Sequence, residues 1–565
     1  MGRELSEPEV RQIEKEIDAA FLDGLGIAGI WKSVLRDAAL EATEEVLAGH
    51  GTAKGEARQG LISFSHNVVN GCNVLLRHIE LIGVDERTEI PDDLDRRVHR
   101  ALVASSMYTA IEDAYVSYTH GYAKADLPAD RVIRMSPPGT ALDARLRYFS
   151  GNSPDVKLLG NQGLEPLDLP NLSTGTYGER FAQAMATSSF EQQGGFSYTL
   201  EQSLVNDFAG AYHRFFVSAV DMSSDTQLGT ITLDVLLRGY AVVCTVAYLH
   251  KMVSILTTPE GWEKSINWPS CFRPRKTWIE LFEGFCGAPH AETVVELLSF
   301  IPERFDADIT VTPLVRFDQD YIGISPSAVL LSNIPRNVLV LLTKMFSREY
   351  STYTSGKEAL LVANAREVLK DEIIAQNVKL PNWKGAGLPD IDLIFRGADD
   401  QLIVACEIKW QLSASSTREV VYRDEYLKKG IKQLLKIREF LLHHRDFLRK
   451  RGIVDVDMAV GGATFLLLCK GHLASESVFH DGILICDYDW FVRTVQERGI
   501  EAALDGATSF SYLPKEGVDF VLQPLTIRFG KWRLSWLSMV PPVLPEDDEK
   551  SVVLDFYDES LEFLL

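Results

Sequence analysis

Apolar and polar positions change period along this chain. From residue 1 to about 130, apolar side chains recur every three to four positions, as in SVLRDAALEATEEVLAG and RRVHRALVASSMYTAIEDAYVSY, which predicts amphipathic helices. The first, MGRELSEPEVRQIEKEIDAAF, carries a start signal, with Ser6 as N-cap, Pro8 in the first turn and Glu9 closing a capping box. Gly, Pro, Ser and Asn then accumulate through RMSPPGT and FSGNSPDVKLLGNQGLEPLDLPNLSTGTYGE, predicting long loops or a boundary. Helical period returns at about 200–256, in KTWIELFEGFCG and in AETVVELLSFI. DITVTPLVRFDQDYIGIS alternates like two short strands that turn at Asp318-Gln319-Asp320. The most apolar stretch, LDVLLRGYAVVCTVAYLHKMVSIL, is interrupted by Asp234, Arg238, His250 and Lys251, so a buried core helix is expected and not a membrane span.

From about residue 350 the order becomes helix, apolar strands, basic helix, apolar strands, an α/β pattern. The expected organisation is a helical N-terminal region over 1–130 and a mainly helical region with long loops and a short β-hairpin near 308–325 over 131–345. An α/β domain over 346–500 and a C-terminal extension over 501–565 follow, ending in the acidic tail PPVLPEDDEKSVVLDFYDESLEFLL. Length agrees, since 565 residues at roughly 150 per domain make three or four units.

Charge narrows the function classes. A net charge of -22 argues against a surface that coats nucleic acid or anionic membrane, so any phosphate contact is local. Between Lys409 and Arg451 twelve Lys/Arg stand against five acids, a patch of +7. The seven cysteines are scattered and lack CxxC spacing, which favours neither a disulfide framework nor a zinc ribbon and fits a reducing cytoplasm. The N-terminus lacks the apolar core of a signal peptide. No GxxxxGK[ST], GxSxG or HExxH sequence occurs.

The stretch LPDIDLIFRGADDQLIVACEIKW, residues 388–410, concentrates the candidate chemistry. A turn at Asp399-Asp400 makes DIDLIF and IVACEIK a hairpin in which 398 pairs with 401, so Asp392 falls opposite Glu407 and Asp390 opposite Lys409. Alternation then puts Ile391, Leu393, Phe395, Val404, Cys406 and Ile408 on one face, and Asp390, Asp392, Glu407 and Lys409 on the other. Opposed carboxylates repel. A divalent cation with hard oxygen ligands, beside the lysine, relieves that repulsion and suits phosphodiester hydrolysis.

The arrangement Pro389-Asp390 with Asp392, then Glu407-x-Lys409, resembles the PD-(D/E)xK nuclease superfamily over roughly residues 350–490. The resemblance implies a restriction-endonuclease-like αβββαβ core and a catalytic Mg²⁺ (or Mn²⁺). Its ligands would be Asp392, Glu407 and the carbonyl of Ile408, with Lys409 catalytic and Asp390 secondary to Asp392. It further implies a glutamate on the preceding helix, SGKEALLVANAREVLKDEIIAQNV, with Glu358 first and Glu367 second. On the following helix, YLKKGIKQLLKIREFLLHHR, it implies Gln433, while Gly430 permits close approach. Arg418, Lys429, Lys432 and Lys436 are the expected nucleic-acid contacts, and His472 and His480 lie on a loop that could line the cleft. Asp155-Val156-Lys157 and Asp548-Glu549-Lys550 match the same pattern without adjoining apolar strands and are read as accidental.

The function expected from these features is a metal-dependent nuclease acting on DNA in preference to RNA, in bacterial defence against foreign DNA or in DNA processing. The alternative is a catalytically silent nuclease-fold protein serving as a nucleic-acid-binding or scaffold subunit. Residues 1–345 name no chemistry and are candidates for partner binding or homo-oligomer formation. Tyr108, Tyr115, Tyr118 and Tyr122 are read as core residues.

Overall fold

Four helices open the chain in the computed structural model: α1 (Glu7–Gly24), α2 (Lys32–His50), α3 (Ala57–Ile82) and α4 (Leu94–Thr119). The structure describes residues 3–50, 57–121, 123–127, 132–136, 145–146, 175–187, 189–190, 196–220, 222–257, 271–304, 307–385, 387–397, 402–414, 417–453, 463–529, 531–540 and 552–555. At the start of α1 the Glu9 carboxylate accepts from the Ser6 N–H at 3.0 Å and from its hydroxyl at 2.8 Å, which satisfies a donor the helix leaves orphaned. Phe21, Leu40, Val74, Leu75 and Leu102 fill the centre of this helical region. Tyr108 stacks on Phe21 with centroids 4.3 Å apart, so it is a core residue.

The middle of the chain is built on α5 (Gln202–Val220) and α6 (Leu233–Thr257). Leu236, Leu237, Tyr240, Val243 and Val246 of α6 are fully buried, as the interrupted apolar pattern predicts. Val315–Arg316 and Tyr321–Ile324 pair antiparallel, and the Asp318 side chain accepts from the N–H groups of Asp320 and Tyr321 at the turn. Buried Glu44 ties this part to α2: it accepts from Ser327 N–H at 2.6 Å and stands 3.3 Å from the Lys251 ammonium.

After α7 (Ile334–Met345) and α8 (Ser347–Val368), a five-stranded mixed sheet follows. Its strands are β1 (Ile373–Val378), β2 (Ile391–Arg396), β3 (Ile403–Trp410), β4 (Ala463–Lys470) and β5 (Ile483–Asp487), in that order across the sheet. The first three pair antiparallel, and β3, β4 and β5 pair parallel. The long helix α9 (Thr417–His443) makes the crossover from β3 to β4 and covers one face. α8, α10 (Tyr488–Arg498) and α11 (Ile500–Ser509) cover the other. The element order is thus the expected αβββαβ with one further strand, behind a mainly helical N-terminal region.

Two local expectations are corrected. The segment 373–378, read as the end of a helix, is the edge strand β1; a register shift between Ile373 and Ala375 and the left-handed Asn377, φ +48°, hide its alternation. The C-terminal stretch is also built into the fold. Val521–Phe529 and Trp532–Val540 form a hairpin that pairs with Val132–Ser136, and Val552–Asp555 is an edge strand of the same six-stranded sheet. The rest of the acidic tail, Tyr122 and the two accidental motifs lie outside the described residues.

Candidate active site

β2 and β3 pair with Leu393 opposite Cys406, Ile394 opposite Ala405, Phe395 opposite Val404 and Arg396 opposite Ile403. This is the register counted from the sequence, and one further step sets Asp392 across from Glu407. The turn at Asp399-Asp400 lies outside the described residues; Gly397 N–H donates to the Leu402 carbonyl at 2.8 Å where it closes. Leu393, Phe395, Val404, Cys406 and Ile408 share one buried face as expected. Ile391 does not join them. It packs with Leu427 and Ile431 of α9 and with its ladder partner Val378, because it precedes the last β2–β3 pair and only β1 holds its orientation.

On the α9 side, strand alternation turns Glu407 and Lys409 inward together, between apolar neighbours such as Ala405 and Leu467. The Lys409 ammonium lies 2.6 Å from Glu407 Oε1 and 3.9 Å from Glu358 Oε2. The Ile408 N–H donates to Asp392 Oδ2 at 2.8 Å, so Asp392 caps the strand amide next to Glu407. Glu358 reaches the same place from α8, where its Oε1 accepts from Trp410 N–H at 3.3 Å. Three carboxylates and one ammonium therefore converge from two strands and a helix. Asp390 stays exposed just before β2, and Glu367 is exposed on α8.

Electrostatics follow from that enclosure. Glu407 is 3 % exposed. Burial first, and then the Asp392 charge, push its carboxyl up to about 7 against the pull of Lys409. Burial also raises the Asp392 and Glu358 carboxyls, in each case opposed by Lys409 and by a backbone N–H. The flanking carboxylates of Glu407 and Glu358 outweigh desolvation at Lys409 and hold its ammonium protonated.

α9 supplies the fourth wall. A Cβ added at Gly430 would meet Lys409 Cγ and Cε at 3.7 Å, an ordinary contact, so the helix backbone lies against the lysine stem with room there for a methyl group. One turn earlier the Tyr426 hydroxyl donates to Glu358 Oε1 at 3.2 Å. Sequence reasoning missed Tyr426, although its spacing of four from Gly430 was a usable signal. Gln433, one turn after Gly430, is half-buried on the same helix.

The basic residues divide. Lys429, Lys432 and Lys436 are exposed along α9. Arg418 instead turns to α4, 3.5 Å from Glu112. His472 is fully buried outside the acidic cluster, 3.0 Å from Asp424 Oδ1, where it ties the loop after β4 to α9. His480 is exposed, with Nδ1 2.9 Å from the Asp481 carbonyl.

Among the described residues no three His, Cys, Asp or Glu side chains form a ready metal cage. A cation here would draw on Asp392, Glu407 and oxygens of backbone, water or phosphate, a donor set that Mg²⁺ accepts. One observation fits that use: Glu407 Oε2 is buried without a hydrogen-bond partner, an acceptor that costs free energy until something positive meets it. Comparison with family models, curated proteins and solved structures finds no match to the chain.

Proposed function

We propose that the protein is a divalent-metal-dependent nuclease of the PD-(D/E)xK type that hydrolyses phosphodiester bonds, in DNA by preference. The observation that carries the reading is Glu407: one oxygen engaged by Lys409 at 2.6 Å and the other buried and unpartnered, with Asp392 beside it. A bound Mg²⁺ or Mn²⁺ would polarise a phosphoryl oxygen and acidify the attacking water. Asp392, Glu407 and the Ile408 carbonyl would hold it. Lys409, kept protonated, stabilises charge developing on the phosphoryl group and orients water rather than removing its proton. Glu358, with its carboxyl raised by burial, is the nearest candidate to accept that proton. The exposed lysines of α9 offer a local phosphate-binding face on an otherwise acidic chain.

A second reading, a nucleic-acid-binding or scaffold subunit without catalysis, draws on the enclosure of Glu407. One experiment separates the two. Supercoiled, linear and single-stranded DNA and RNA are incubated with Mg²⁺ or Mn²⁺ and wild type, Glu407→Ala or Lys409→Ala. Metal-dependent cleavage by wild type alone supports the nuclease. Cleavage that persists in both variants sinks the assigned site, and binding without cleavage by wild type favours the scaffold. Defence against foreign DNA is the cellular setting this reading suggests.

A further inference from the structure

Away from the acidic cluster, α1 and α4 enclose a cavity of about 500 Å³ with the first turn of α9 and the six-stranded sheet. That volume is in the range of small-molecule pockets. Its body is aliphatic, lined by Ile13, Ile17, Ile111, Val116, Val421 and Leu534. Its polar groups are not balanced. Glu14, Asp18 and Glu112 face it with one guanidinium, Arg418, and one imidazole, His120. Glu112 is already engaged, 3.5 Å from Arg418 and 3.8 Å from Arg77. Asp18 accepts from the Tyr108 hydroxyl at 2.6 Å, and Glu14 is held by Tyr115, so phenols, which carry no positive charge, support these two carboxylates.

We propose that this cavity binds an amphipathic organic amine, its apolar body among the aliphatic side chains and its ammonium between Glu14 and Asp18. The chemistry excludes the obvious rivals. A nucleotide or other anion would face three carboxylates at close range, and a neutral hydrophobe would leave the Glu14 and Asp18 charges uncompensated. Burial, Asp18 and Glu112 raise the Glu14 carboxyl against the pull of Tyr115 and Arg11, the imbalance a cation relieves. The site is independent of the nuclease reading, but a ligand here touches Val421 and Tyr422, one turn before Tyr426 on the same helix.

Calorimetric titration of the full chain tests the proposal with three probes of one shape: phenylbutylamine, phenylbutanol and phenylbutyrate. The amine is expected to bind at least about tenfold more tightly than the alcohol, and the carboxylate not measurably. The double variant Glu14→Gln/Asp18→Asn, which changes charge without volume, should erase the amine's advantage, and Val116→Trp should abolish binding by filling the cavity. Where circular dichroism shows Val116→Trp unfolded, the double variant decides. Equal affinity for amine and alcohol, an advantage that survives the double variant, or no amine binding at millimolar concentration each overturns the proposal. The last result is also the one expected if another segment of this chain occupies the space.

Discussion

The backbone N–H of Ile408 donates to Asp392 Oδ2 at 2.8 Å. This bond crosses from β2 to β3 at the residue between Glu407 and Lys409, so Asp392 is fixed against both, whereas Asp390 is exposed before the strand begins. Asp392→Asn should therefore lower metal-dependent cleavage by on the order of 10²-fold or more, the scale on which a preorganised charged contact acts. Asp390→Asn should change it by less than about threefold. Rates of cleavage under excess Mg²⁺ for the two variants give the answer, and a reversed order would move the metal ligand to Asp390.

Glu407 makes stability depend on pH. A carboxyl whose folded pKa lies above its unfolded one takes up a proton on folding, so its contribution is complete below the ordinary 4.5 and is lost as pH rises through about 7. The loss is on the order of 3 kcal/mol, from about 1.4 kcal/mol per pKa unit. Glu41, raised to about 8 by burial and by Asp37, adds a slope of the same sign. Glu407→Gln should thus flatten part of the decline, being more stable than wild type at alkaline pH. Mg²⁺ added there should raise the melting temperature of wild type and not of Glu407→Gln. Urea titrations across the range with both proteins measure this, and parallel pH profiles would contradict it.

How much of this was legible in the sequence depended on how local each cause was. The β2–β3 register follows from a short turn, so counting from it reached all four observed pairs between Leu393–Cys406 and Arg396–Ile403. β1 was hidden because an edge strand with a register shift and a left-handed Asn377 loses its period of two. The pairing of Val132–Ser136 with Trp532–Val540 joins distant ends of the chain and leaves no local signal. Tyr426 and Tyr422 look equivalent in sequence, yet one is 37 % exposed and bonded to Glu358 while the other is 78 % exposed. Only the seating of α9 on Lys409 at Gly430 separates them.

The division of the basic patch predicts two different phenotypes. Replacing Lys429, Lys432 and Lys436 with Gln should weaken nucleic-acid binding and reduce the dependence of log K on log salt by up to about three, near one per phosphate contact. Arg418→Gln should leave that slope unchanged, because Arg418 faces Glu112 in the wall of the cavity. Its cost is to stability, about 0.5–1 kcal/mol after allowing for solvent around a partly exposed pair. Filter binding at several salt concentrations, with urea denaturation of Arg418→Gln, measures both. Equal loss of salt dependence in Arg418→Gln would return this residue to the nucleic-acid surface.

Two glycines beside the strand pair should respond to alanine in opposite ways. Gly471 follows β4 with φ +86°, and a Cβ there would lie 1.8 Å from the Gln411 carbonyl oxygen, a backbone atom that cannot step aside. That carbonyl lies just past the end of β3: Gln411 N–H donates to Lys470 O at 2.9 Å and Ser413 Oγ to Gly471 O at 2.6 Å. Gly471→Ala carries both left-handed strain and a clash, and should cost about 3 kcal/mol or more, with Lys409 misplaced as the two strand ends part. Gly430 is helical, and its added Cβ meets nothing closer than Leu467 Cδ1 at 3.4 Å, an ordinary contact. Gly430→Ala should be neutral or gain up to about 1 kcal/mol from helix propensity. Because the same Cβ also touches the Lys409 stem, Gly430→Leu, which extends further, should keep the fold and lose cleavage. Urea denaturation and cleavage rates of the three variants separate these effects, and full activity in Gly430→Leu would show that α9 does not position Lys409.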